Sequence, residues 1–246
     1  MPRSTVSYPN QIDEKHLIAA TIDHTLLKPE ATARDIEKVC LEALQNGFAS
    51  VCVNPCWVPL VAGQLTGFAV KVCTVIGFPL GANQTEAKLA EASLALSQGA
   101  RELDMVQNVG ALRSGDYSLV EQEIAKLADL AHRHGAILKV ILETSLLTTE
   151  QKVKACQIAL EAKADFVKTS TGFSNAGATV EDIRLMRQTV GPALGVKASG
   201  GIRTLAAVRE MLAAGASRIG ASAGVQILNE LSGFAKPSSP SPAGNY

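Results

Sequence analysis

No charge of either sign predominates in this chain. Its 23 Lys and Arg balance 23 Asp and Glu, so the formal net charge is zero. That removes any electrostatic case for nucleic acid or an anionic membrane surface as partner. Aromatic residues are scarce, at 4% against 47% hydrophobic residues. No stretch approaches the roughly 18 apolar residues of a membrane span, and Met1–Pro9 lacks the apolar segment of a secretory signal. A soluble, cytoplasmic protein is expected. Five cysteines (Cys40, Cys52, Cys56, Cys73, Cys156) make an odd count. Only Cys52 and Cys56 lie close together, and no second pair follows at zinc-site spacing. They are expected to be small buried thiols in a reducing compartment. His132 and His134 in "AHRHG" read as the cationic last turn of a helix ahead of Gly135. No metal and no cofactor are expected.

What is present is a recurring alternation. Apolar runs of strand length fall at 17–23, 49–54, 69–78, 101–109, 136–144, 165–171, 194–200 and 217–223. Helix-period segments separate them: at 119–133, Val120, Ile124, Leu127 and Ala131 share one face. Thr148-Thr149-Glu150-Gln151 carries a capping-box pattern. Gly47, Gly99, Gly135 and Gly215 each stand shortly before a strand, where helices end. Strands alternating with helices imply a parallel sheet with right-handed crossovers. No run looks edge-like and the G-x-G-x-x-G fingerprint is missing, which disfavours an open dinucleotide-binding sheet. The expected fold class is α/β, a single-domain (β/α)8 TIM barrel over 1–234. A short N-terminal helix over 9–16 would plug the barrel bottom, and the Pro/Ser-rich segment 235–246 would form a flexible C-terminal tail.

In such barrels the reacting residues sit at the C-terminal ends of the strands. There the sequence places Asp104, Lys139, Glu143, Lys168 and Lys197. The three lysines are spaced 29 residues apart in both intervals, one βα unit each, so they are expected at one height on adjacent strands. Outer faces covered by helices leave them nowhere to snorkel. A like charge at about 6 Å costs roughly 2.8 kcal/mol at an effective dielectric near 20. Such a cluster favours a neutral, nucleophilic amine at the central Lys168, able to attack a carbonyl and form a Schiff base. The loops "STGFSNAGAT", "SGGIRT" and "GASAG" that follow strands six to eight are Gly-rich and lead into helices, with Thr179, Thr204 and Ser222 near the caps. Backbone N–H groups at such places bind anions, which points to a phosphorylated substrate.

"DHTLLKP" (23–29), "GFPLG" (77–81), "ELDMVQNVGALRSGDY" (102–117), "LKVILET" (138–144), "VKTSTGF" (167–173), "VKASGGIRT" (196–204) and "IGASAGV" (219–225) together resemble the motif set of the deoxyribose-phosphate aldolases, in that family's order. The resemblance implies a class I aldolase, a lyase cleaving 2-deoxy-D-ribose 5-phosphate reversibly to acetaldehyde and D-glyceraldehyde 3-phosphate. It implies Lys168 as the Schiff-base lysine and Asp104 with Lys197 as the proton-relay pair. Phosphate would lie on Thr171, Gly172, Gly200, Gly201, Gly220 and Ser222. Asp23, Thr25 and Cys52 would line the pocket near the substrate carbons, with Lys139 also at the substrate. Phe173 departs from members that carry a phosphate-holding lysine at that place, and Gln107 from an aliphatic preference. Family members that end on tyrosine suggest a proton-relay role for Tyr246. A homodimer or homotetramer is implied. The alternatives are a class I aldolase for another phosphorylated sugar and a non-catalytic sugar-phosphate-binding barrel.

Overall fold

The computed structural model describes residues 14–231. Helix α1 (Glu14–Ala19) leads into strand β1 (Ile22–Leu26). Seven strands follow: β2 (Ser50–Val53), β3 (Lys71–Ile76), β4 (Glu102–Val106), β5 (Ile137–Ile141), β6 (Phe166–Lys168), β7 (Gly195–Ser199) and β8 (Arg218–Ala221). The helices between β1 and β5 are α2 (Ala33–Asn46), α3 (Val58–Leu65), α4 (Thr85–Ser97), α5 (Val109–Arg113) and α6 (Tyr117–Arg133). Those after β5 are α7 (Thr149–Glu161), α8 (Val180–Val190), α9 (Leu205–Ala213) and α10 (Gly224–Leu231). Each strand pairs in parallel with the next, and β8 returns to β1, closing the barrel. Among the described residues no helix is long and apolar enough to cross a membrane.

Local chemistry sets the boundaries. Thr148 and Gln151 form the expected capping box at α7, and Thr32 and Asp35 form another at α2. Thr179 and Thr204 accept the N–H groups of Asp182 and Ala207 at the starts of α8 and α9. Gly47, Gly99, Gly135 and Gly215 all adopt positive φ between helix and strand, a conformation that costs glycine little.

Several sequence-based boundaries move. Residues 17–19 are the end of α1, and β1 starts only at Ile22. Of the helix expected over 9–16, residues 14–16 belong to α1, which runs on to Ala19; residues 9–13 lie outside the described residues. Helix α1 packs beside α10 and ties Glu14 to Arg209 of α9 at 2.7 Å. Val109 belongs to α5, because Asn108 caps that helix on the Ala111 N–H. The run 136–144 loses regular strand geometry at Glu143, whose φ is 56°. Cys56 is exposed, while the other four cysteines are buried and all five are free.

Strand periodicity sorts the core into two regions. Val51, Val72, Leu103, Met105, Leu138, Val140, Val167, Val196 and Ile219 face outward and merge with the helices into one large aliphatic cluster. The inward positions are mostly polar. Register alignments join Asp23 to Ser50, Cys52 to Cys73, Cys73 to Glu102, Asp104 to Lys139, Lys168 to Lys197, and Lys197 to Arg218.

Candidate active site

Register refines the picture of three equivalent lysines. Lys168 does align with Lys197. Across β5 and β6, however, Lys168 aligns with Ile141, and Lys139 aligns with Phe166 at the start of β6. Closing a barrel requires strands to slip relative to one another, and that shear places Lys139 one inward layer below Lys168. Equal spacing in sequence does not mean equal height.

Carboxylates interleave with the three lysines. Asp104 Oδ2 accepts hydrogen bonds from Lys168 Nζ at 2.8 Å and Lys197 Nζ at 2.7 Å. Its Oδ1 accepts from Lys139 Nζ at 2.8 Å and from the Cys73 thiol at 3.3 Å. Lys139 Nζ also meets Glu102 Oε2 at 2.6 Å. Asp23 Oδ1 accepts from Ser50 Oγ at 2.7 Å and Arg218 Nη1 at 2.6 Å. Its Oδ2 pairs with Lys197 Nζ by charge, outside hydrogen-bond angles. Arg218 closes the floor of the barrel, donating to Glu102 as well and lying over the Phe166 ring.

Burial alone would favour neutral forms of these groups, and the pairing outweighs it. Burial raises Asp104, but the ammonium groups of Lys139, Lys168 and Lys197 hold it well below the usual carboxylate range. Burial likewise works against charge on Lys197, yet Asp104 and Asp23 hold it above the usual lysine range. Lys139 is pushed up in the same manner. The side chains of Lys139 and Lys197 have no exposed surface, whereas that of Lys168 keeps 4%. Lys168 is thus the lysine of the three that solvent reaches.

The other expected site residues distribute unevenly. Lys139 and Asp23 are fully enclosed and bonded to protein groups. Thr25 donates to the Asp23 carbonyl at 2.8 Å. Cys52 joins Leu27, Cys73 and Val75 in a small apolar cluster beside Asp104, covered by Phe78 and Phe173 packed edge to face at 5.3 Å. Thr171 is buried, Gly172 half-buried, Gly200 buried, and Gly201 and Ser222 exposed at the loops after β6, β7 and β8. Gly220 faces inward beside Lys197. Gln107 turns its amide to the Leu142 carbonyl at 2.9 Å. Tyr246 and the tail 235–246 lie outside the described residues.

Two sets of donor atoms, Cys52–Cys73–Asp104 and Asp23–Cys73–Glu102, each gather within 4.8 Å. Their carboxylates already accept from ammonium and guanidinium groups, so a metal cation would meet like charge there.

Such an interior can perform amine catalysis on a carbonyl, and the known proteins the chain is similar to are aldolases. The family model of the DeoC/LacD family aldolases matches residues 17–230. The chain belongs to this family. A deoxyribose-phosphate aldolase of Thermoanaerobacter sp. (strain X514) is 60% identical over 214 residues, covering 87% of this chain and 96% of that protein. A deoxyribose-phosphate aldolase of Bacillus cereus (strain Q1) is 59% identical over 88% of this chain and 97% of its own. Among solved structures, the tetrameric deoxyribose phosphate aldolase from Aeropyrum pernix superposes with a TM-score of 0.83 at 34% identity, covering 91% and 99% of the two chains. As a DeoC/LacD aldolase the chain is a lyase.

Sequence reasoning missed several residues of this aldolase interior. Cys73, Glu102 and Arg218 share the inward face through register, which no local pattern reveals. Gly177 was also missed: a Cβ there would stand 2.1 Å from the Gly200 carbonyl oxygen, so the loops after β6 and β7 touch backbone to backbone. Gly220 has a similar packing reason. An added Cβ would lie 2.4 Å from Ser199 Oγ and 3.1 Å from Lys197 Cε. Gly220→Ala is therefore expected to destabilise by about 1–3 kcal/mol through overpacking and to lower kcat more than it changes KM. Thermal unfolding and steady-state kinetics check this; normal values of both would show that Lys197 has room to spare.

Proposed function

We propose that the chain is a deoxyribose-phosphate aldolase that works through a Schiff base on Lys168. The observation that carries this reading is the solvent contact of Lys168 while its ammonium shares one oxygen of Asp104 with the sealed Lys197. Formal charge supports it. Four cations (Lys139, Lys168, Lys197, Arg218) meet three carboxylates (Asp23, Asp104, Glu102). Loss of one proton balances the cluster, and Lys168 is the member from which a proton can leave to solvent.

In this reading the neutral amine attacks C1 of the open-chain sugar phosphate. Lys197 protonates the carbinolamine oxygen, which departs as water and leaves an iminium. Removal of the C3 hydroxyl proton then breaks the C2–C3 bond, and its electron pair moves into the iminium. D-glyceraldehyde 3-phosphate leaves, and an enamine stays on Lys168. Protonation at C2 and attack by water release acetaldehyde and restore the amine. The Asp104–Lys197 pair passes these protons, in the range of general acid–base terms. The apolar cluster of Leu27, Cys52, Cys73 and Val75 suits the two-carbon fragment. Thr171, Gly172, Gly200, Gly201, Gly220 and Ser222 lie on the side where (β/α)8 barrels hold phosphate. A homo-oligomer suits the exposed apolar side chains Leu17, Leu41, Phe68 and Leu94.

Acetaldehyde followed by borohydride is expected to add one reduced two-carbon adduct at Lys168, located by peptide mass spectrometry. Labelling at Lys139 or Lys197 with Lys168 free would overturn the assignment. A panel of phosphorylated sugars is expected to give fastest cleavage with 2-deoxy-D-ribose 5-phosphate, and faster cleavage of a different sugar would redirect the substrate reading.

A further inference from the structure

Glu143 lies two residues beyond the end of β5, with φ 56° and ψ 62°. A left-handed backbone is uncommon for a residue with a side chain, and it persists only where the surroundings demand it. The surroundings here are definite. On either side of Glu143 the chain still follows β6: the Leu142 N–H donates to the Lys168 carbonyl at 2.9 Å, and the Thr144 N–H to the Thr169 carbonyl at 3.0 Å. The Glu143 side chain is buried, with 2% exposure. Its Oε2 accepts both the backbone N–H of Thr171 at 3.2 Å and the Thr171 hydroxyl at 2.5 Å. Thr171 Oγ1 in turn accepts the Phe173 N–H at 3.1 Å. Among the described residues the second oxygen, Oε1, has no partner, so every bond this carboxylate makes to them falls on Thr171.

The consequence lies in the next residue. Gly172 sits between the two residues this chain of bonds fixes, and it adopts φ 87°. Phe173 then packs against Phe78 over the apolar cluster. A carboxylate on one strand end thereby sets a three-residue turn on the neighbouring strand. The Lys168 amine is held by a different partner, Asp104.

We propose that Glu143 is a positioning residue that fixes the 171–173 turn as the seat of the substrate's phosphate, leaving carbonyl chemistry at Lys168 untouched. The proposal rests on the aldolase reading above and adds a division of labour within it. It explains why a strained glutamate stands where glycine would be relaxed: glycine could adopt the backbone but could not hold Thr171.

That contrast supplies the test. Glu143→Gly removes the carboxylate and the backbone strain together, so the fold is not penalised at that position. KM for 2-deoxy-D-ribose 5-phosphate is expected to rise at least about 10-fold, the scale of one lost hydrogen bond to a charged group. The kcat/KM for unphosphorylated 2-deoxy-D-ribose should stay within about threefold, the scale of a surface change. Acetaldehyde and borohydride should still label Lys168 fully. Glu143→Gln, whose amide oxygen can accept both Thr171 donors, should restore most of the preference for phosphate. Thr171→Val breaks the same link from the other side and should shift the ratio in the same direction. An unchanged ratio in Glu143→Gly with intact labelling would overturn this proposal alone, as would equal losses on both substrates. Failure of the unaltered protein to label at Lys168 would overturn the aldolase reading with it.

Discussion

Replacing Lys168 with methionine is expected to lower kcat for deoxyribose phosphate cleavage by on the order of 10⁴- to 10⁶-fold, the scale on which covalent nucleophiles act. Methionine keeps most of the side chain's volume and removes only the amine. Asp104 retains Lys139 and Lys197 as partners, so the carboxylate is not left alone in the interior and the protein should fold. Borohydride with acetaldehyde should give no adduct anywhere in the barrel, because Lys139 and Lys197 are sealed. Circular dichroism and thermal unfolding establish that the variant is native. A folded Lys168→Met protein with kcat within 10-fold of the parent would mean that the nucleophile has been misassigned.

The alternation of strands and helices could be read from the chain because each strand's outward residues pack on helices and stay aliphatic. Val140, Val167 and Val196 exemplify this. Caps such as Thr148 and Thr204 were legible for an equally local reason: both halves of the interaction sit within a few residues. The first strand was misplaced since "LIAATID" opens on four apolar residues, and a short apolar run suits a buried helix turn as well as a strand. Lys168, Asp104 and Lys197 stood out because charge at strand ends inside a barrel requires an explanation. The height of Lys139 was not legible, since shear between β5 and β6 is a property of barrel closure. Nor were the partners that neutralise the lysines. Arg218 and Asp23 are 195 residues apart in the chain and meet only through the closure of β8 on β1. Glu143 was visible as a residue at a strand end, but its hold on Thr171 depends on a backbone conformation that no residue pattern announces.

The partner of Lys168 on the next strand is the sharper test of the mechanism. Lys197→Leu fills nearly the same space beside Gly220 and leaves Asp104 with Lys139 and Lys168, and Asp23 with Arg218 and Lys139. Its kcat is expected to fall at least about 100-fold, the range of general acid–base terms. The charge count adds a second, independent expectation. With Lys197 gone, three cations face three carboxylates while Lys168 still carries its proton, so balance no longer favours the neutral amine. The acidic limb of the residual kcat/KM profile should therefore move to higher pH, and borohydride trapping at neutral pH should slow while recovering as pH rises. Asp104→Asn separates the two effects. It also removes the proton carrier and should cost at least about 100-fold in kcat, but it leaves four cations with two carboxylates, so trapping should not acquire the same requirement for high pH. Breaking a buried ion pair from one side costs about 3–5 kcal/mol, and its pH dependence has a defined sign. Asp104 is held well below the usual carboxylate range, so its stabilisation is present above the unfolded value of about 3.9 and is lost as pH falls toward the folded one. The asparagine variant should be less stable near neutrality and lose less on acidification. If Lys197→Leu keeps near-normal kcat and an unchanged acidic limb, the relay drawn through Asp104 and Lys197 is wrong, and the protons must travel by groups on another side of Lys168.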